Sequence, residues 1–99
     1  MPVSAKGEGV TMPTVMFQEH VQDYGAWRSV FDGNEGQRAK FGCTSSRVYR
    51  NAADENDLLV MTDFADEARA REFVEVVRKV QEAAGVIMST LSVRFLHAE

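Results

Sequence analysis

Residues 57–85 read DLLVMTDFADEARAREFVEVVRKVQEAAG, and their order of patterns decides the fold. Asp57 to Phe64 is an apolar run ending in Thr, Asp and Phe, of strand length and strand composition. Asp66 then stands where a helix N-cap belongs. Behind it Phe73, Val77, Val80 and Ala84 recur at four, three and four residues, with Val74 and Val76 widening the apolar face, and Gly85 supplies the stop. Arg69, Glu72, Glu75, Arg78, Lys79 and Glu82 fall on the other side, a solvated face whose exposed ion pairs are each worth roughly 0.2–0.5 kcal/mol. A strand feeding directly into an amphipathic helix is one half of a layered α+β domain.

Working outward, Thr44 to Arg50 carries Val48 and Tyr49 among Thr and Ser and predicts a strand. Asn51 to Asn56 reads as a polar linker, and the strands on either side are close enough to pair as a hairpin, although the loop is too long to dictate a two-residue turn. Upstream, MPTVMFQE over residues 12–19 alternates, with Val15 and Phe17 on one side and Met16 and Gln18 on the other. Pro13 restricts that strand's start to a terminal or edge position. Asp23 caps a helix in which Tyr24, Trp27 and Phe31 put three rings on one face, Gly33 and Asn34 interrupt it, and Glu35 to Phe41 resumes for a short stretch before Gly42. Downstream, Val86 to Leu96 places Leu91, Val93 and Phe95 on one side of a last strand. The order is βαββαβ, and its ferredoxin-like solution lays both helical segments on one face of a four-stranded sheet.

Residues 1–10, with Pro2, Gly7 and Gly9, read as a tail before one domain over 11–99. The net charge of −4 and the interleaving of basic with acidic residues argue against nucleic acid as a partner. Neither a leader pattern nor a long apolar span is present, so the expectation is a cytoplasmic chain with no membrane partner. The single cysteine, Cys43, rules out an intrachain disulfide and a CxxC motif, and with no base in view it reads as structural. No phosphate-binding loop, dinucleotide fingerprint or nucleophile elbow occurs, and the two histidines show no metal-ligand spacing, so neither a cofactor nor a metal is expected. Helices cover only one sheet face, while Val, Leu, Phe and Met are dense on the strands. A second copy packed on the other face removes the cost of exposing them, which predicts a homodimer.

The segment HVQDYGAWRSVFD (20–32), then Arg38 and Gly42, SRVYR (46–50), the strand Leu58 to Phe64 and the helix bearing Phe73 together resemble the antibiotic biosynthesis monooxygenase-like proteins of the dimeric α+β barrel superfamily. The resemblance runs from about residue 12 to 98. It implies two four-stranded sheets paired into a barrel, helices outside, and a small-molecule cavity between sheet and helices. The activities it implies are diverse: cofactor-independent oxygenation of aromatic or quinol substrates, haem degradation, lactone isomerisation, polyketide cyclisation, and chlorite or dye-peroxide chemistry. The residue set of the haem-degrading relatives has no match here.

Candidate residues follow from chemistry and position. His20, at the end of the first strand, has the side chain suited to accept a proton near neutrality, and Arg28 could steady developing negative charge; these are the catalytic candidates. Tyr24, Trp27, Phe31 and Tyr49 are the candidate substrate-binding residues, although the three helical rings equally suit packing on the sheet, and Tyr49 and Arg50 must face opposite ways. Arg47 and Arg50 read first as solvated or paired, Asp63 as a cap before a proton acceptor, and His97 as a surface or dimer-contact residue. Glu19 points away from His20 on a regular strand, so the two are not a dyad. Two functional readings result. One is a monooxygenase-like or cyclase-like enzyme acting, without a bound cofactor, on an aromatic, quinol or polyketide-like molecule made electron-rich by deprotonation. The other is a non-catalytic, dimeric, small-ligand-binding or stress-related protein.

Overall fold

The computed structural model describes residues 12–99, and the tail assigned to residues 1–10 lies outside the described residues. Strand β1 (Thr14–His20) leads to helices α1 (Tyr24–Gly33) and α2 (Glu35–Lys40); strands β2 (Cys43–Asn51) and β3 (Asp54–Phe64) follow, then helix α3 (Glu67–Ala83), a 3-10 turn (Met88–Thr90) and strand β4 (Ser92–Leu96). The described strands form one antiparallel sheet in the order β2-β3-β1-β4. The described residues make a small α+β domain with three α-helices, and its strand order is that of the ferredoxin-like arrangement expected from the sequence.

The register explains which residues are inside. Val15 pairs with Thr62 and Phe95, and Phe17 with Val60 and Val93, so alternate residues of the three strands share one face. Val15, Phe17, Leu58, Val60, Thr62 and Phe64 are buried there beneath Trp27 of α1 and Phe73, Val74 and Val77 of α3. Phe73 touches both Phe64 and Phe41, at ring-centroid distances of 5.3 and 5.8 Å. Both helical layers therefore cover the same face.

Local chemistry sets the element ends. The Asp23 and Asp66 carboxylates accept from the backbone N–H of Ala26 and Arg69 at 2.8 Å each, as N-caps do. Gly42, at φ +86°, reverses the chain between α2 and β2 in a conformation that side chains with a Cβ rarely adopt.

Two sequence expectations need correction. The polar linker 51–56 is mostly strand: Asn51 pairs with Asp54 across a tight Ala52–Ala53 connection, and the ladder then skips from Asn51↔Asp54 to Arg50↔Leu58. Side chains of Asn51 and Asp54 supply the turn's hydrogen bonds, to the N–H of Ala53 and of Asn56. The bulged residues do structural work, because Asn56 accepts from Val21 N through its carbonyl and from Tyr24 N through its side chain, at 2.8 and 2.9 Å, and so fixes the start of α1. The last strand is also shorter than its apolar pattern suggested. Val86 makes only an isolated bridge to Val21, and the 3-10 turn intervenes before β4.

Candidate functional site

Five elements bring side chains to a cavity between the helices and the sheet, with Val60 and Thr62 of β3 in its floor. From β1, the inward alternation that buries Val15 and Phe17 continues to Glu19, whose carboxyl therefore faces the core and is only 3% exposed. From α1 come Trp27 and Phe31, one helical turn apart, and from α3 come Phe73, Val77 and Gln81, again at helical spacing. Asn34 and Arg38 close the side nearest α2. The cavity is small, about 50 Å³, and it opens at its mouth to solvent. Its walls are mainly apolar with a few polar groups, the usual constitution of a small-molecule site.

The rings and cations form a column. Arg50 lies over the Tyr24 ring at 4.4 Å, Tyr24 is 6.0 Å from Trp27, Trp27 stacks on Phe31 at 4.9 Å, and the Arg38 guanidinium covers Phe31 at 3.8 Å. Stacking of aromatic faces and cations is favourable because the ring face is negative. Trp27 and Phe31 line the cavity; Tyr24 continues the column outside it.

Polar atoms inside this cavity lack partners. Oε1 of Glu19 and Oε1 of Gln81 are both buried without a hydrogen bond. Burial pushes the Glu19 carboxyl up to about 7, partly offset by hydrogen bonding from the Trp27 side chain, whose only donor is the indole N–H. A carboxyl at that value exchanges its proton near neutrality. Among the described residues Arg38 is the other buried ionisable group: it is 7% exposed, its Nη1 donates to Phe31 O at 2.7 Å, and burial pulls its guanidinium below the ordinary arginine range.

No family model matches the chain, and no curated protein does. Among solved structures it is similar to a conserved protein from Methanosarcina mazei Go1, with a TM-score of 0.68 at 13% identity over 91% of this chain and 95% of that one. The likeness is one of fold.

Of the six residues singled out from sequence, the structure brings Trp27 and Phe31 to the cavity and places the other four elsewhere. His20 follows Glu19 and so points to the opposite, helix-free face, where Nε2 lies 3.4 Å from an Asp54 carboxylate oxygen. Arg28 is on the outer side of α1, paired with Asp32 at 3.1 Å. It borders a separate polar groove with Asp32, Glu35, Cys43 and Thr44. Tyr49 is 53% exposed on the helix-free face, opposite Leu59. Asp63 is on that face too, accepting from Thr14 Oγ1 at 2.5 Å and Ser45 Oγ at 2.6 Å with Arg47 beside it; those bonds hold its carboxyl below the usual carboxylate range, and the helix cap is Asp66 instead. His97 faces Glu67 at 3.0 Å. Glu19, Arg38 and Gln81 are cavity groups to which the sequence reading assigned no site role. Two carried a signal: Glu19 has the parity of Val15 and Phe17, and Gln81 follows Phe73 and Val77 along one helical face.

Proposed function

We propose that this chain is a homodimeric small-molecule enzyme, monooxygenase-like or cyclase-like, which begins its reaction by moving a substrate proton onto Glu19. The observation that carries the reading is the buried Glu19 carboxyl, orphaned at Oε1 and poised at about 7 on the wall of an aromatic-lined cavity. Desolvation makes its carboxylate a stronger base than one in water, and a group titrating near neutrality both accepts and returns a proton efficiently. The substrate is an aromatic, quinol or polyketide-like molecule with a weakly acidic O–H or C–H. Its proton passes to the Glu19 carboxylate, and the electron pair stays on the substrate, which becomes electron-rich. Trp27 and Phe31 hold the flat body of the molecule. The resemblance to the antibiotic biosynthesis monooxygenase-like proteins supports this class of chemistry, with Glu19 rather than His20 as the base on grounds of position.

The partner copy is assigned to the helix-free sheet face. Across it Arg47, Met61, Met16 and Arg94 form one row, and Tyr49, Leu59, Gln18 and Ser92 the next. A centre of Met16, Met61 and Leu59 between charged edges suits a self-complementary two-fold contact.

The test is a panel of hydroquinones and enolisable 1,3-diketones incubated with the protein, read by oxygen uptake, ring closure and deuterium exchange at the acidic position. Turnover is expected to rise with pH through an apparent value near 7 and to fall by roughly 100-fold or more in Glu19→Gln, the scale of a lost general base. Bound molecules recovered unchanged, with no exchange in either protein, would establish the non-catalytic binding role instead.

A further inference from the structure

Arg38 is a buried cation without an anion. Among the described residues no carboxylate oxygen lies within 4.0 Å of it: Asp32 is engaged by Arg28 at 3.1 Å, Glu35 acts on Arg38 only from a distance, and Glu19 shares the cavity without reaching it. One of its five N–H groups is used on the Phe31 carbonyl, and one face of the guanidinium is spent on the Phe31 ring. Removing a charge from water is costly unless the charge is paired. The bond to the end of α1 offsets part of that cost, since a helix C-terminus is favourable for a cation, and no nitrogen of the fork is both buried and unpartnered, so its remaining N–H groups are open to the groove, where an anion can reach them.

The position of Arg38 says where the missing anion would come from. Its side chain lies in the wall between two spaces, the apolar cavity on one side and, on the other, the polar groove bordered by Thr44, Ser45 and Ser46. A molecule with its body in the cavity would present its end to Arg38 where the hydroxyl-lined groove gives access to water. One guanidinium neutralises one charge and matches a planar carboxylate with two parallel hydrogen bonds. The neighbouring Arg28 is already paired, so a dianion would be left half-compensated.

We propose, resting on the reading of the cavity as the substrate site, that its ligand is an amphipathic monocarboxylate: the carboxylate on Arg38, an apolar or aromatic body along Trp27 and Phe31, and a proton-donating group at the Glu19 end. Gln81 Oε1, buried and unpartnered on the cavity wall, offers a second acceptor to that proton-donating group. Arg38 is then the anchor that sets the direction of binding, and Glu19 receives the proton.

Trp27 provides the readout, being the chain's single tryptophan and a wall of the cavity. The full-length protein is titrated by Trp fluorescence with three probes of nearly one shape: 4-hydroxyphenylacetate, its neutral amide, and phenylacetate. The wild type is expected to bind the hydroxy acid about 10-fold or more tighter than the amide, the scale of one charge-assisted pair. Arg38→Gln should bring acid and amide to within about twofold of each other while sparing affinity for the amide, and Glu19→Gln should leave the acid-to-amide ratio intact. A purely structural Arg38 would lower stability without changing that ratio. Equal binding of acid and amide by the wild type, or no binding of any probe at millimolar concentration, overturns the anchor; neither depends on Arg38→Gln folding. The Glu19 reading is judged separately, by the pH profile of turnover and exchange, so each can fail without the other.

Discussion

A carboxylate at position 19 is opposed by its surroundings, and the cost of that opposition depends on pH. In the unfolded chain Glu19 loses its proton near the ordinary glutamate value of 4.5, while in the folded chain it holds the proton up to about 7. Between those values the native state binds more protons than the unfolded one, so stability falls as pH rises through that window and levels off above it. The difference corresponds to about 3 kcal/mol at full ionisation. Glu19→Gln keeps the shape and removes the charge. Thermal unfolding should therefore show the variant more stable than the wild type above about pH 8, by a figure approaching that value, and nearly equal to it near pH 4.5. A wild type and variant that track each other across the window would mean that Glu19 is solvated. Most of what places Glu19 was legible in the sequence: the alternation of Val15 and Phe17 extends to it and sends His20 the other way. Its burial was not, because alternation tells which face a side chain takes and not whether that face is roofed at the strand's end. That depends on where α1 and α3 cross the sheet, which is how Trp27 and Gln81 come to lie above it.

At the scale of elements, the caps at Asp23 and Asp66 follow from single side chains acting on their own neighbours, and the break at Gly33–Asn34 and the reversal at Gly42 from local backbone preference, so they could be read directly. What could not be read is the join between the β2–β3 hairpin and α1. Residues 54–57 are all acids and Asn, a composition typical of a loop, yet they form strand and bulge because tertiary partners use their polar groups. The side chain of Asn56 reaches across to Tyr24 N, 32 residues earlier. Arg38 belongs to the same class, as its place beneath Phe31 depends on α2 folding back along α1. Asn56→Ala should leave Tyr24 N unpartnered and cost about 1 kcal/mol, with a fall in Tm of about 4–8 °C. Amide exchange should quicken at the start of α1 before it does in α3; uniform quickening along both helices would show that Asn56 does not anchor α1 in particular.

For the whole molecule, the order of elements and the coverage of one face by both helical layers follow from six segments joined by short connections, and the strand order β2-β3-β1-β4 agrees with that expectation. The content of the uncovered face needed the register, since a shift of one residue would have exchanged its side chains for those of the core. With the register known, Met16 and Met61 stand side by side at the middle of that face, flanked by Arg47 and Arg94, while Asp57 and Asp63 lie on β3 to either side of Leu59 and Met61. A two-fold mate can set the basic edges of one copy against the acidic positions of the other while the methionines meet in between. Met61→Lys would place two ammonium groups in the centre of such a contact, where no carboxylate stands directly across the strands from position 61. Light scattering should accordingly give twice the chain mass for the wild type over a range of concentrations. The variant should give the single-chain mass, or a dimer weakened by about 100-fold or more, with helix and strand content unchanged. A wild type that stays at the single-chain mass at every concentration would refute the paired sheets, while the cavity, which is built within one chain, would still stand to be tested through Glu19 and Arg38.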